Sequence, residues 1–277
     1  MTRRRPARAA SEDLLSTLGR LTAQAREGVE LQRARAELAE VLQREMLPAS
    51  LPGLPGLRAA ARYAPARHGL DIGGDWYDGF RLPGDALAFS IGDVQGHDVE
   101  AAAFMGQVRV GLRAVAGVVV DPGEVLRRAN EVLLSMDREL FATCTLLRYD
   151  PASRVLETAR AGHVPTVWAT DDGRYGVTED AGGLPLGMLP DAVYPVTRRR
   201  LTRAGVIVLL TDGVVEGPSF PIEVGLARVL DIARKAVDAD PDELAAEVMK
   251  VADETGHADD AAVLVLGHDA AGPPDPA

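Results

Sequence analysis

Apolar positions near the start of the chain step by threes and fours: Leu14, Leu18, Leu21 and Ala25, then Leu31, Ala34, Leu38 and Val41. That spacing predicts a long amphipathic helix from Ser11 to Leu47, with Ser11 as its N-cap and Glu12 and Asp13 in the first turn, where the helix dipole favours acids. Gly28 interrupts the register and polar residues fill the other faces. The stripe therefore needs the chain's own surface or a second copy to cover it, and a homodimer through this helix is one expectation. Prolines 48, 52 and 55 and glycines 53 and 56 then mark a boundary near residue 50.

Beyond that boundary the pattern changes. Leu57 to Ala64, Ala86 to Ile91, Phe141 to Tyr149, Val155 to Ala161, Val164 to Ala169, Val193 to Leu201, Val206 to Leu210 and Ala261 to Leu266 read as strands. The run at Val206 is apolar enough to be central in a sheet. Glu100 to Ala116, Pro122 to Asp137, Val224 to Val237 and Pro241 to Ala252 read as helices, the last with proline in its first turn. Strand-rich segments interrupted by two pairs of helices predict an α/β protein of packed sheets with helices outside, not an alternating βαβ fold. The expected organisation is a basic tail over 1–10, the helix over 11–50, one domain over 51–267, and a proline-rich, disordered tail over 268–277.

Composition narrows the function. A net charge of −11 and 4% aromatic residues argue against a nucleic-acid surface, which needs clustered Lys and Arg with stacking rings. No run is long and apolar enough to cross a bilayer, and no apolar segment follows Arg3-Arg4-Arg5 as an export signal would require, so the expected location is cytoplasmic. The single cysteine, Cys144, lies in an apolar run and reads as a small buried hydrophobe.

Candidate chemistry gathers at acidic corners. Asp75 stands in Gly73-Gly74-Asp75-Trp76-Tyr77-Asp78, Asp93 in Gly92-Asp93-Val94-Gln95-Gly96-His97-Asp98, Asp212 in Thr211-Asp212-Gly213, and Asp259 with Asp260 before the last strand. Any one corner is explained by an ordinary turn. Together, acids at strand boundaries with glycines beside them can converge on one sheet edge, and hard cations such as Mg²⁺ or Mn²⁺ take such oxygen ligands. Zinc is disfavoured without His/Cys spacing. Asp78 reads as a turn residue, His97 and His163 as structural histidines, and no serine sits in a nucleophile motif.

These residues resemble the PPM-type metal-dependent serine/threonine phosphatases, in their bacterial SpoIIE-type branch, which regulates sigma factors. The resemblance covers about residues 40–267 and rests on the motifs above together with Leu42-Gln43-Arg44-Glu45-Met46-Leu47-Pro48, Ala161-Gly162-His163, Leu186-Gly187, Thr211-Asp212-Gly213-Val214-Val215-Glu216 and Asp259-Asp260-Ala261-Ala262-Val263. It implies an αββα sandwich of two mainly antiparallel sheets flanked by helix pairs, with two Mn²⁺ or Mg²⁺ ions at one end. Carried over by position, Asp93 would bridge both ions, the Val94 carbonyl would ligate one, and Asp75, Asp212 and Asp259 would complete the site, with Gly74 and Asp260 just outside it. The implied activity is hydrolysis of phosphoserine or phosphothreonine by a metal-activated water, on a phosphorylated anti-sigma-factor antagonist. Asp98 departs from the glycine often found there, and no arginine can be assigned to the substrate phosphate. The competing readings are a non-catalytic interaction module signalling through the N-terminal helix, and a two-metal phosphodiesterase or nuclease, which the acidic charge disfavours.

Overall fold

The computed structural model of the 277-residue chain describes residues 17–30, 34, 46–66, 73–96, 99–136, 139–256 and 259–270. Residues 17–30 form a helix, α1, exposed along its whole length, with Leu18, Leu21 and Val29 about half open to solvent. Ser11 and most of the second half of the expected helix lie outside the described residues. Met46 and Leu47 pack against the core that follows.

Among the described residues, ten strands build two five-stranded sheets whose ladders are all antiparallel. The first sheet has the order β2 (Trp76–Arg81), β3 (Leu87–Val94), β4 (Ala142–Asp150), β5 (Val155–Ala161) and β8 (Val196–Arg200). The second has the order β1 (Leu57–Ala64), β10 (Ala261–His268), β9 (Gly205–Leu210), β6 (Val167–Thr170) and β7 (Tyr175–Val177). The apolar run at Val206 is thus the middle strand of its sheet.

Side chains alternate across each strand, and here both faces are covered. On β10, Ala262, Leu264 and Leu266 point between the sheets, where they meet Leu87, Phe89 and Ile91 of β3. Ala261, Val263 and Val265 point outward to a second core formed with α5 (Ile222–Lys235) and α6 (Pro241–Met249). On the far side, α2 (Val99–Ala116) and α3 (Pro122–Leu134) cover the first sheet through Phe104, Met105, Val108, Leu112, Leu126 and Leu133. The result is an αββα sandwich. Helix starts follow local chemistry: Asp121 accepts from the Glu124 amide at 3.0 Å and Asp240 from the Asp242 amide at 2.9 Å, each followed by proline in the first turn. Two short helices, α4 (Asp212–Val215) and α7 (Val251–Thr255), complete the second helical layer.

Several sequence expectations need correction. β2 was hidden by an acid and a glycine at its centre, yet it pairs with β3 from Trp76↔Gly92 to Arg81↔Leu87. The three-residue edge strand β7 carries too few positions to show an alternation. His268, assigned to the tail, is the buried last residue of β10 and pairs with Leu57 and Gly205. Asp78 is not a turn residue: it lies within β2 with no exposed side-chain surface. From there it accepts hydrogen bonds from Arg113 at 2.7 Å and Arg109 at 3.3 Å, both on α2, and from the Gly79 amide at 2.9 Å. This buried carboxylate ties α2 to the strand that begins at Asp75.

Removing both arginines would leave the Asp78 carboxyl buried and held by one amide. We expect the Arg109→Met/Arg113→Met double variant to lose about 3–5 kcal/mol of stability, the usual cost of breaking a buried pair. Urea denaturation measures it. Adding Asp78→Leu should recover most of the loss, and a double variant within about 1 kcal/mol of the parent, as for an exposed pair, would contradict this role.

Candidate metal centre

Pairing register brings the acidic corners together. β2 and β3 are antiparallel neighbours, so the start of one lies beside the end of the other, and the Val94 amide donates to the Gly74 carbonyl at 3.2 Å. β9 and β10 repeat the arrangement in the second sheet, where the Thr211 amide donates to the Ala262 carbonyl at 3.0 Å. The two pairs meet across the sandwich: the Thr211 hydroxyl donates to Asp75 Oδ2 at 2.7 Å and accepts from the Ala262 amide at 2.8 Å.

Close approach at this edge requires bare backbone. A Cβ on Gly74 would overlap the Val94 carbonyl oxygen and stand 3.2 Å from Asp93 Oδ1, and one on Gly213 would overlap the Asp260 carbonyl. The glycines of the motifs are thus explained by space, not only by turn geometry.

The carboxylates sense one another strongly. Burial, Asp93, Asp260 and Asp212 hold Asp75 well above the ordinary range, against the hydrogen bond from Thr211. Burial first, then Asp212 and Asp259, push Asp93 up to about 8, with a hydrogen bond to Asp75 acting in the opposite sense. Asp212 is raised by burial and by Asp259. Tyr63 is raised by burial and then by Asp260, to which its hydroxyl is bonded. The remaining acids are steadied by amides: Asp212 Oδ1 accepts from Gly213 at 2.9 Å, Asp259 Oδ1 from Asp260 at 2.8 Å, and Asp260 Oδ1 from Ala66 at 3.0 Å.

An all-oxygen set whose strongest charged neighbours are other carboxylates is what a hard divalent cation fits. Among the described residues no three His, Cys, Asp or Glu side chains are drawn tightly enough to hold an ion alone.

The family model of Stage II sporulation protein E (SpoIIE) matches residues 83–269. The chain belongs to the SpoIIE family. Among SpoIIE-type relatives, phosphoserine phosphatase RsbU of Bacillus subtilis is 26% identical over 185 residues, 66% of this chain and 54% of that protein. Protein IcfG of Synechocystis sp. is 28% identical over 215 residues, 68% of this chain and 33% of that protein. The solved RsbU and RsbW domains of Rv1364c from Mycobacterium tuberculosis are 32% identical with a TM-score of 0.73, over 82% of this chain and 64% of that one. The chain thus spans about a third to a half of the curated relatives it matches.

Against this SpoIIE-type frame, Asp75, Asp93, Val94, Asp212, Asp259, Asp260 and Gly74 all lie at the one edge, whereas Asp78 belongs to the ion-paired face under α2. His97 and Asp98 lie outside the described residues. His163 is buried, its Nδ1 is 2.8 Å from the Thr143 hydroxyl, and burial lowers its pKa to about 3, so it stands as a neutral structural group. Cys144 is buried too, its thiol pushed upward by desolvation. Thr211 and Tyr63 were missed from sequence. Thr211 could have been noticed as a hydroxyl beside a motif acid; Tyr63, inside an unremarkable strand, gave no signal.

The sign of the pH dependence follows. Asp93 holds a proton in the folded, metal-free protein up to about pH 8 but releases it near the ordinary carboxylate value when unfolded, so stability should fall as pH rises between these limits. Thermal unfolding of chelator-treated protein should show a midpoint that drops from about pH 6 to 8.5, with a flatter profile in Asp93→Asn. A midpoint that rises over this interval would contradict the coupling.

Proposed function

We propose that this chain is a protein-serine/threonine phosphatase dependent on two Mn²⁺ or Mg²⁺ ions, whose substrate is a phosphorylated anti-sigma-factor antagonist. The observation that carries the proposal is the convergence of acids from both sheets on one edge, where burial and mutual repulsion raise Asp75, Asp93 and Asp212 together. Family membership and the RsbU relative supply the direction of the substrate assignment.

In this reading Asp93, Asp75, Asp212 and Asp259 hold the ions with their carboxylates, and the Val94 carbonyl adds a neutral ligand. The ions, when bound, supply a water acidified to near neutral pH and positive charge for the phosphoryl oxygens. The protein's own task is orientation. Thr211 fixes which oxygen of Asp75 faces the edge, the Gly74 carbonyl holds the Val94 peptide in place, and Asp260 anchors the loop at Ala66. Both sheets are filled with packed aliphatic side chains up to this edge, so the acids have little freedom to spread apart. No side-chain nucleophile is needed.

The proposal divides the chain into a phosphatase domain that starts at 51 and, with His268 closing β10, ends at 268 instead of the expected 267, and a helix over 11–50 that controls it by self-association. The exposed Leu18, Leu21 and Val29 support a homodimer through α1. Light scattering that reports a monomer for the full chain would remove that part of the reading.

Asp93→Asn conserves volume while removing charge, so turnover of p-nitrophenyl phosphate in Mn²⁺ should fall to background with the circular dichroism spectrum unchanged. EDTA should silence the parent reversibly, with Mn²⁺ or Mg²⁺ restoring it and Zn²⁺ failing to do so. Near-normal turnover in the variant, or full activity after verified metal removal, would sink the mechanism; activity on the small ester without activity on any phosphorylated antagonist would sink only the substrate assignment.

A further inference from the structure

Thr211 ties Asp75 to the second sheet, and His163 makes a second tie across the sandwich at the same edge. The pairing register puts Thr143 of β4 directly opposite Asp93 of β3. Side chains alternate along a strand, and Phe89 and Ile91 of β3 and Leu147 of β4 all point between the sheets, so Asp93 and Thr143 stand on that face too. Directly opposed residues of an antiparallel pair have Cβ atoms about 5 Å apart, which brings the Thr143 hydroxyl within reach of the Asp93 carboxylate. That hydroxyl is already engaged: His163 Nδ1 lies 2.8 Å from Thr143 Oγ1.

The imidazole meets the second sheet from there. β6 pairs with β9 only from Thr170↔Gly205 to Val167↔Val208, so Leu210 lies past the end of that ladder. Its backbone acts on the buried His163 ring as a hydrogen-bond acceptor. The chain that carries the ring is fixed on both sides of it. Gly162 takes a φ of 66°, with no room for a Cβ against Pro185, and the Arg160 guanidinium donates to the His163 carbonyl at 2.8 Å. A neutral imidazole has one N–H and one bare nitrogen. Nε2 is buried and forms no hydrogen bond of ordinary geometry with any described residue, so Leu210 is the acceptor that remains for its proton. A carbonyl can only accept. The proton therefore sits on Nε2, and Nδ1 is left to accept from the Thr143 hydroxyl.

We propose that His163 is a positioning residue of the candidate metal centre: it holds the Thr143 O–H in a hydrogen bond to Nδ1 and so leaves the Asp93 oxygens free for cations. Without the ring, the hydroxyl turns to Asp93. A hydroxyl that donates to a carboxylate makes a strong, charge-assisted bond and competes with a cation for the same lone pairs. The proposal rests on the reading of Asp93 as a metal ligand, and it gives a task to a histidine that holds no charge and touches no substrate.

Two measurements on the full chain test it. Nitrogen-15 chemical shifts of the His163 ring in chelator-treated protein should show a protonated Nε2 and a bare Nδ1; the opposite tautomer would overturn the proposal without any substitution. Mn²⁺ affinity is then followed by electron paramagnetic resonance in variants whose circular dichroism matches the parent. His163→Leu should bind Mn²⁺ about tenfold more weakly, the scale of one hydrogen bond to a charged group. His163→Asn, whose Oδ1 stands where Nδ1 stood, should stay within about twofold of the parent. In a Thr143→Val background, His163→Leu should change affinity by less than about twofold, because no hydroxyl remains to compete. Equal affinity in His163→Leu and the parent, or the same loss with and without the hydroxyl, would overturn the proposal and leave the metal centre in place. A parent that binds no Mn²⁺ would remove the metal-centre reading, and this proposal with it.

Discussion

Repulsion among buried carboxylates at one edge of the sandwich is the constraint around which the rest is arranged. Asp75, Asp93 and Asp212 are each raised by burial and by other acids, so this edge is strained against holding its full charge without a cation. Two apolar sheets packed face to face keep the acids from separating, with one buried apolar cluster, including Phe89, Ile91, Leu209 and Leu264, filling the space between them. Local hydrogen bonds set their directions: Thr211 for Asp75, and backbone amides for Asp212, Asp259 and Asp260. The helical layers serve the same end, with Arg109 and Arg113 of α2 gripping Asp78 three residues after Asp75.

How much of this was legible in the sequence depended on the range of the interaction. The central strands announced themselves because both faces are apolar, and the helices because Asp121-Pro122 and Asp240-Pro241 carry their own start signals. The acids of the edge were legible from their glycine-marked corners. β2 was not, because its sequence includes Asp78 and Gly79, and the reason for that acid lies on a helix more than thirty residues away. Likewise, the tie between Thr211 and Asp75 spans both sheets and has no local signature.

His268 illustrates the same limit. A histidine before an Asp-Ala-Ala-Gly-Pro-Pro run reads as the beginning of a tail, yet pairing with two strands extends β10 by that residue. That end carries arginines gathered from β8 and from the connections after β6 and β8, which are unremarkable along the chain and become a cluster only when both sheets are in place.

The central claim is that the acidic edge is a site for two hard cations. Titrating chelator-treated protein with Mn²⁺ at pH 7, while following free Mn²⁺ by electron paramagnetic resonance and protons by a pH indicator, tests it most directly. The account predicts two bound ions per chain with proton release, because Asp93 must lose a proton it otherwise holds at this pH. Fewer than two bound ions, or binding of two without proton release, would contradict it.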